Sequence, residues 1–149
     1  IDVYGLIIGD GSLRKEFEDL AISKDISDYI KFAGNCKQEF IANILPHSSV
    51  ILSPHMGRGL TEAALSGVPI VGYDYDWQRE VIINNKTGYL IEHENWLEMA
   101  DAVEYLLSNQ KIAKKFGKNV RDHIAKMMNP EDLNNHEKNC YSSIIESEL

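Results

Sequence analysis

The residues best suited to chemistry lie together between Val50 and Glu80, in the sequence VILSPHMGRGLTEAALSGVPIVGYDYDWQRE. Gly57 and Gly59 flank Arg58, so the backbone can turn sharply and present amide hydrogens beside a cation. Such a turn before a helix suits a phosphate, because unpaired N–H groups and the positive end of the helix dipole meet there. Glu62 is expected in the first turn of that helix, where its oxygens can accept hydrogen bonds from a vicinal diol such as ribose. Together these residues predict a nucleotide site.

Each of these features also has a plainer explanation. Gly57 and Gly59 fit a tight turn that binds nothing. Glu62 fits an acid favoured in a first turn by the helix dipole, and Arg58 fits a solvated surface cation. The nucleotide hypothesis therefore depends on their combination.

The segments around these residues predict a strand, a helix and a second strand. Val50 to Ser53 is a short apolar strand that ends at Pro54, which cannot donate to a ladder. Leu60 to Ser66 is expected to be helical, and Gly67 ends that helix. Val68 to Gly72 is apolar without alternation, which is typical of a strand covered on both faces.

The loop after the second strand, Tyr73 to Glu80, lies where open α/β sheets place their chemistry. Its candidate site residues by location are Asp74, Asp76, Trp77 and Glu80. Trp77 equally fits a core residue and Glu80 a helix cap. His55 lies beside the predicted turn, as polar lining or as a structural histidine.

Strand and helix patterns alternate along the rest of the chain. Strands are expected in Ile1–Ile8 and Ile30–Ala33, and a turn with a short strand in Asn84–Ile91, where Gly88 marks the bend. Helices are expected in Leu13–Ala21, Lys37–Leu45, Trp96–Leu107, Gln110–Met127 and Pro130–Leu149. In the second of these helices, Phe40, Ile41 and Leu45 are expected to face inward. This alternation predicts an α/β fold, a Rossmann-like parallel sheet with helices on both faces, in one domain over residues 1–149 with helices 96–149 on or across it.

Composition and missing motifs exclude several classes. The 149-residue chain has a net charge of −8 and no basic cluster, which argues against nucleic acid as a partner. Cys36 and Cys140 fit reduced thiols in a cytoplasmic protein. The histidines lack metal-binding spacing, which argues against a protein-bound metal. The sequence has neither a GxSxG elbow nor a Walker lysine, which argues against a hydrolase and a kinase. In GDGSLR, Arg14 occupies the position of the third small residue of a dinucleotide fingerprint, which argues against NAD.

A family resemblance rests on the order of three blocks: GDGSLRKEFEDLA, then IKFAGN, then SSVILSPHMGRGLTEAALSGVPIVGYDYDWQREVIINNKTGYLI, followed by terminal helices. This order resembles the C-terminal, donor-binding domain of family 4 glycosyltransferases, which have the GT-B architecture of two Rossmann-like domains. The similarity covers nearly the whole chain. It implies a cytoplasmic enzyme of the hexosyltransferase type that moves a glycosyl group from a nucleotide-diphospho-sugar to an acceptor hydroxyl.

The resemblance also assigns roles to residues. It implies that Glu62 holds the ribose, that the amides of Met56 to Leu60, with Thr61 next, meet the diphosphate and donor sugar, and that the backbone around Gly34 and Asn35 brackets the base. The acid of the family's PE pair corresponds to Glu80, which follows Arg79 instead of proline. The resemblance further implies retention of anomeric configuration, with no metal and no cofactor.

The chain departs from the family pattern at one acid. Where the family often has a first glutamate, this chain has Pro54. His55 or Asp74 could replace that acid, and Glu80, the acid of the PE pair, is the third catalytic candidate. An acceptor-binding domain, and the basic residues that usually clamp the diphosphate, are expected upstream. The acceptor can be a glycan, a lipid or a small molecule, and peripheral membrane association of the full protein stays open. The alternatives are a nucleotide-sugar 2-epimerase and a non-catalytic domain that binds a nucleotide or a protein partner.

Overall fold

The computed structural model describes residues 2–55 and 57–147, apart from the side chains of residues 146 and 147. The predictions that fall on Ile1, Met56 and Leu149 lie outside the described residues. The chain divides into two compact units, Ile1–Asn43 and Ile44–Leu149, called here the first and second units. That residues 1–149 form one domain stays a prediction.

The first unit contains a two-stranded parallel sheet with a helix after each strand. Its elements are β1 (Gly5–Ile8), α1 (Arg14–Ser23), β2 (Ile30–Gly34) and α2 (Gln38–Ile44). Ala21 is its one buried apolar side chain among the described residues. Phe40 is 45% exposed, so the prediction that it faces inward is wrong. The helix also ends before Leu45, which begins a 3₁₀ turn over Leu45–His47 in the second unit.

The second unit contains a parallel sheet in the order β3-β4-β5. Its elements are β3 (Ile51–Ser53), α3 (Arg58–Ser66), β4 (Ile70–Tyr73), α4 (Gln78–Val81), β5 (Gly88–Ile91), α5 (Trp96–Ser108), α6 (Gln110–Met127) and α7 (Pro130–Ser147). The α/β class and the parallel strand direction predicted from the sequence are confirmed in both units. Every described side chain of α7 is exposed.

Helices cover both faces of the sheet in the second unit. Ile70 and Val71 are neighbours in β4, so their side chains point to opposite faces, and both are fully buried. One buried cluster brings together α3, α4 and α6 with the sheet, through Leu60, Ala63, Ala64, Ile70, Val81, Ile82, Val120 and Ile124. The other brings α5 and α6 against the opposite face, through Val71, Ile91, Met99, Leu106, Ala113 and Phe116.

Two glycines allow α6 to lie directly against the end of α3. Gly67 ends α3 in the left-handed conformation, with φ 76°, as its position in the sequence predicted. A methyl group on Gly117 would overlap the carbonyl oxygen of Gly67 and would lie 3.3 Å from the Cα of Val68. The separation of these helices is therefore set by backbone contact.

Two local predictions near the candidate site need correction. The helix α3 begins at Arg58, not at Leu60, because Gly57 adopts the N-cap position with a φ of 147° that favours glycine. Glu62 is consequently the fifth residue of α3, beyond its first turn. The segment predicted as a loop up to Glu80 also contains α4, a short helix that begins at Gln78.

Candidate functional site

The N-terminus of α3 presents free amides in an open position. The N–H groups of Gly57, Arg58 and Gly59 have no partner within the helix, because they precede the first complete turn. A Cβ built on Gly57 or Gly59 would meet no atom within 4 Å among the described residues. A ligand can therefore approach the backbone closely at both glycines.

Two groups at this helix tip that were predicted to contact the ligand form hydrogen bonds within the protein. The amide of Leu60 donates to the carbonyl oxygen of Gly57 at 3.0 Å, and its side chain is 1% exposed. Thr61 Oγ1 donates to the carbonyl oxygen of Arg58 at 2.9 Å. Leu60 thus anchors the helix in the core, and its N–H is not free for a ligand.

Arg58 and Glu62 pair with each other along one face of α3. Arg58 Nε donates to Glu62 Oε1 at 2.8 Å, the spacing of an i,i+4 pair. The Arg58 side chain is 79% exposed, whereas that of Glu62 is 21% exposed. The carboxylate is therefore largely covered, and the guanidinium lies in solvent next to Glu62, directed along the helix away from the free amides.

The turn after β4 carries a second ion pair at the same edge of the sheet. Asp74 Oδ1 lies 2.9 Å from Arg79 Nη2, and the backbone N–H of Asp74 donates to the carbonyl oxygen of Ile91 at 2.6 Å. Trp77 packs against the buried cluster of α3 and α6, which supports its interpretation as a core residue. Glu80 is exposed, and its carbonyl oxygen accepts from His123 Nε2 at 2.6 Å.

His55 lies in the turn after β3 with its side chain exposed. Its carbonyl oxygen accepts from Ser53 Oγ at 3.1 Å, which fixes the start of the turn. Because β3 and β4 are parallel, with Ser53 opposite Gly72, the turns that carry His55 and Asp74 leave the same edge of the sheet.

The first unit has its own turn at the end of β2. Gly34 ends that strand with φ 66°, and its carbonyl oxygen accepts from the N–H of Gly9 at 2.9 Å. Asn35 follows with its side chain exposed, and Cys36 Sγ donates to the carbonyl oxygen of Gly34 at 3.7 Å. This places both predicted base-contacting residues in a turn at the carboxyl end of a parallel strand.

The structure adds residues that the sequence pattern did not single out. Gln78 is fully buried, and neither its Nε2 nor its Oε1 has a hydrogen-bond partner within the described part of the chain. Its Oε1 lies 2.7 Å from the position of a Cβ on Gly72. The ring of His93 contacts those of Tyr73 and Tyr75, at centroid distances of 5.4 and 5.0 Å. These contacts join the turns after β4 and β5, and no local pattern predicts them.

Comparison with known families decides the identity. The model described as Glycosyl transferases group 1 matches residues 1–123, which is most of the chain. The chain belongs to the group 1 glycosyltransferases. The glycosyltransferase resemblance found in the sequence is thereby confirmed at the level of this larger family, and family 4 stays a prediction.

Two curated relatives and a solved structure show which group 1 glycosyltransferases the chain is similar to. The poly(ribitol-phosphate) alpha-N-acetylglucosaminyltransferase of Staphylococcus aureus (strain COL) is 30% identical over 92% of this chain and 28% of its own length. The N-acetyl-alpha-D-glucosaminyl L-malate synthase of Bacillus anthracis is 27% identical over 97% of this chain and 39% of its own length. The chain thus spans well under half of each relative.

The solved structure is that of a mutant of TarM from S. aureus, in complex with fondaparinux, alpha-GlcNAc-glycerol and UDP. It superposes with a TM-score of 0.82 at 25% identity, over 92% of this chain and 28% of that one.

Within residues 2–55 and 57–147, no helix has the length and apolar character needed to cross a membrane. The same residues contain no group of three or more His, Cys, Asp and Glu side chains arranged to hold a metal ion.

Proposed function

We propose that this group 1 chain is the donor-binding half of a family 4 glycosyltransferase with the GT-B architecture. It binds a nucleotide-diphospho-sugar so that the glycosyl group is transferred to an acceptor hydroxyl. The relatives reported above have transferase or synthase names, which favours transfer over 2-epimerisation and over a purely binding role. The family resemblance adds three parts to this proposal. The acceptor is a glycan, a lipid or a small molecule, the whole protein is cytoplasmic, and it can associate peripherally with a membrane.

The observation that carries the proposal is the open tip of α3. Its free amides and the positive end of the helix dipole meet at one position, and Arg58, the first residue of the helix, can turn its exposed cation towards it. The glycines at 57 and 59 leave room there for oxygens to reach the backbone. Such a position suits a diphosphate, because the negative charge meets fixed dipoles and a mobile cation together.

Glu62 supplies the second contact in this proposal. Its carboxylate is held at the edge of the core on the same helix, at 2.8 Å from Arg58. We infer that the nucleotide exchanges this pair, so that Arg58 turns to the diphosphate and Glu62 accepts hydrogen bonds from the ribose hydroxyls. Both charges remain partnered throughout, which avoids the cost of an unpaired polar group.

Catalysis in the whole protein then depends on charge stabilisation and position. Departure of the nucleoside diphosphate becomes easier when amides and Arg58 stabilise the charge that develops on it. His55 and Asp74 lie in the turns after β3 and β4, and Glu80 lies in α4, from which they can orient the donor sugar and the acceptor hydroxyl. In this proposal the transfer requires no metal and no cofactor, and the anomeric configuration is retained.

Titration of Glu62→Ala with UDP and GDP by calorimetry tests the proposal. We expect Glu62→Ala to weaken binding of the preferred nucleotide by about 1 to 3 kcal/mol, because the ribose hydroxyls lose their acceptor. Glu104→Ala is the matched control, since Glu104 is an exposed glutamate in the middle of α5. Equal affinities of the wild type and Glu62→Ala would refute the ribose contact, and no saturable binding by the wild type would refute the nucleotide site.

The product distinguishes transfer from the epimerase alternative. When the full-length protein is incubated with a UDP-sugar that it binds and with an acceptor that carries a free hydroxyl, we expect free UDP together with a glycoside of that acceptor. Release of a 2-epimerised free sugar without a glycoside would assign the site to an isomerase instead.

A further inference from the structure

Gln78 is unusual among the described buried side chains because its polar atoms are unpaired. It is the first residue of α4, and its side chain is fully buried. A Cβ on Gly72 would stand 2.7 Å from Gln78 Oε1 and 2.9 Å from the carbonyl oxygen of Ser53. Both of these oxygens are acceptors, so neither can pair the other. A buried amide in this state costs free energy, because it has lost its hydrogen bonds to water and gained none.

The other end of α4, which leads towards β5, is anchored by paired groups. Thr87 is buried, and its Oγ1 accepts from the N–H of Ile83 at 2.7 Å and donates to the carbonyl oxygen of Val81 at 3.2 Å. The carbonyl oxygen of Glu80 accepts from His123 at 2.6 Å, and the side chain of Val81 is fully buried. These contacts fix the chain from residue 80 onwards.

The start of α4 and the turn before it have weaker attachments. Asp76 adopts the left-handed conformation with φ 55°, which costs free energy in a residue other than glycine. The N–H of Gln78 donates to the carbonyl oxygen of Tyr75 at 3.4 Å, which is longer than usual. The side chains of the ion pair between Arg79 and Asp74 are 65% and 42% exposed, and such pairs add little stability. Strain and unpaired groups therefore concentrate in residues 75–79.

We propose that residues 75–79 form a flap at the carboxyl edge of the sheet in the second unit, closed in this structure and able to open while residues 80–82 stay fixed. Asp74 stays in place at the other end, since its backbone N–H is bonded to the end of β5. Opening brings the amide of Gln78 into water, where both of its polar atoms are paired, and it separates Arg79 from Asp74. The flap thus controls whether the carboxylate of Asp74 is paired or free. This inference goes beyond the proposed function and does not depend on it.

The closed flap has attachments of its own. Trp77 is partly buried against the cluster of α3 and α6, and the ring centroids of Tyr75 and His93 lie 5.0 Å apart. Opening exchanges these contacts for hydration of the Gln78 amide and for relief of the strained φ of Asp76. Because these two sets of terms oppose each other, the flap opens at a much smaller free energy than unfolding of the whole unit requires.

Hydrogen exchange in the unaltered chain tests for the open state. The N–H of Ile82 donates to the carbonyl oxygen of Gln78 at 2.8 Å, so opening exposes this amide to water. We expect low concentrations of urea to leave its exchange rate unchanged, because opening of the flap exposes little surface. The amides of β4 should exchange faster as urea is added, since they exchange through unfolding of the unit. The same urea dependence at Ile82 and in β4 would show that no flap opens.

A second test compares Gln78→Met with Thr87→Val, an unpaired with a paired buried polar group. Methionine has the length of glutamine and no group that needs a partner, so Gln78→Met should favour the closed flap. We expect exchange of the Ile82 amide to slow about tenfold, which corresponds to about 1.4 kcal/mol. Thr87→Val is the matched control, since it removes a bonded hydroxyl and should make the same amide exchange faster. Unchanged or faster exchange in Gln78→Met would show that the glutamine amide is paired in the closed state, which overturns the proposal.

These measurements separate the flap from the proposed function, because neither contains a nucleotide. If Ile82 exchanges only with β4, the flap is refuted and the titrations of Glu62→Ala keep their meaning. If the chain binds neither UDP nor GDP, the nucleotide site is refuted, and the exchange of Ile82 still decides whether the flap opens.

Discussion

The two units of the chain hold their turns in different ways. In the second unit, α3 and α4 are fixed by buried apolar side chains such as Leu60 and Val81, and the turns at the carboxyl edge extend from that core. In the first unit, the turns after β1 and β2 are tied by Arg14 and by the bond between Gly9 and Gly34. A core resists any change of volume, whereas a hydrogen-bonded cation can move aside. Equivalent substitutions should therefore have unequal effects in the two units.

The largest expected effect comes from adding one methyl group to a glycine of the second unit. Gly117→Ala would drive a Cβ into the backbone of Gly67, which cannot move without separating α6 from α3. We expect a loss of about 3 kcal/mol or more in the free energy of unfolding. Gly34→Ala meets a side chain, Arg14, that can rotate away, so we expect a loss of only about 1 to 2 kcal/mol, from its positive φ.

Chemical denaturation followed by hydrogen exchange measures both glycine variants and locates each loss. Gly11→Ala is the control, since its Cβ would meet no atom within 4 Å among the described residues. A loss for Gly34→Ala as large as that for Gly117→Ala would show that Arg14 is as immobile as the backbone.

Truncation of one isoleucine in each unit gives the next largest difference. Ile82 is fully buried in the cluster of α3 and α6, so Ile82→Ala should cost about 2 to 5 kcal/mol through lost burial and a cavity. Ile7 in β1 is 45% exposed, and Ile7→Ala should cost less than about 1 kcal/mol. Urea denaturation measures both. Equal costs would mean that Ile7 is covered in solution and that the contrast between the units is wrong.

The smallest expected effect concerns alkaline pH. Burial, and then the neighbouring Tyr105, raise the pKa of Tyr89 above its ordinary value, because the phenolate is disfavoured beside the core. The folded chain therefore keeps this proton to higher pH than the unfolded chain. The resulting stability is complete below the ordinary pKa of tyrosine and is lost as the pH rises through the folded pKa.

Tyr89→Phe should accordingly show a shallower loss of stability than the wild type above about pH 10, the ordinary pKa of tyrosine. Thermal denaturation of the wild type and the variant from neutral to alkaline pH measures the difference. Tyr4→Phe in the first unit is the control, since Tyr4 is 73% exposed. Parallel pH profiles for wild type and Tyr89→Phe would contradict the raised pKa.

How far the sequence predicted the structure depends on the range of the interaction. The bounds of α6 are those expected from its apolar periodicity, and α5 extends only one residue beyond its expected end. Gly67 ends α3 as expected because the left-handed C-cap is a local preference. The start of α3 was missed because Arg58 and Gly59 carry no apolar pattern, and the N-cap depends on the φ of Gly57.

Contacts between distant segments were beyond the sequence pattern. His123 donates to the carbonyl oxygen of Glu80 across 43 positions, and Arg14 reaches Phe32 across 18. A side chain that binds a backbone carbonyl leaves no signature in residue type, since every residue offers that acceptor. The candidate site residues could thus be named from the sequence, but the side chains that hold their backbone in place could not.

The back-to-back burial of Ile70 and Val71 means that β4 is sensitive to length. Removal of a single residue before Ile70 would invert every later side chain of the strand and exchange the occupants of the two cores. Apolar replacements at either position need only match a volume, whereas an insertion or deletion must be absorbed in the connection from α3 or in the turn that carries Asp74. Variation in the number of residues along this strand should therefore be tolerated far less than variation in their identity.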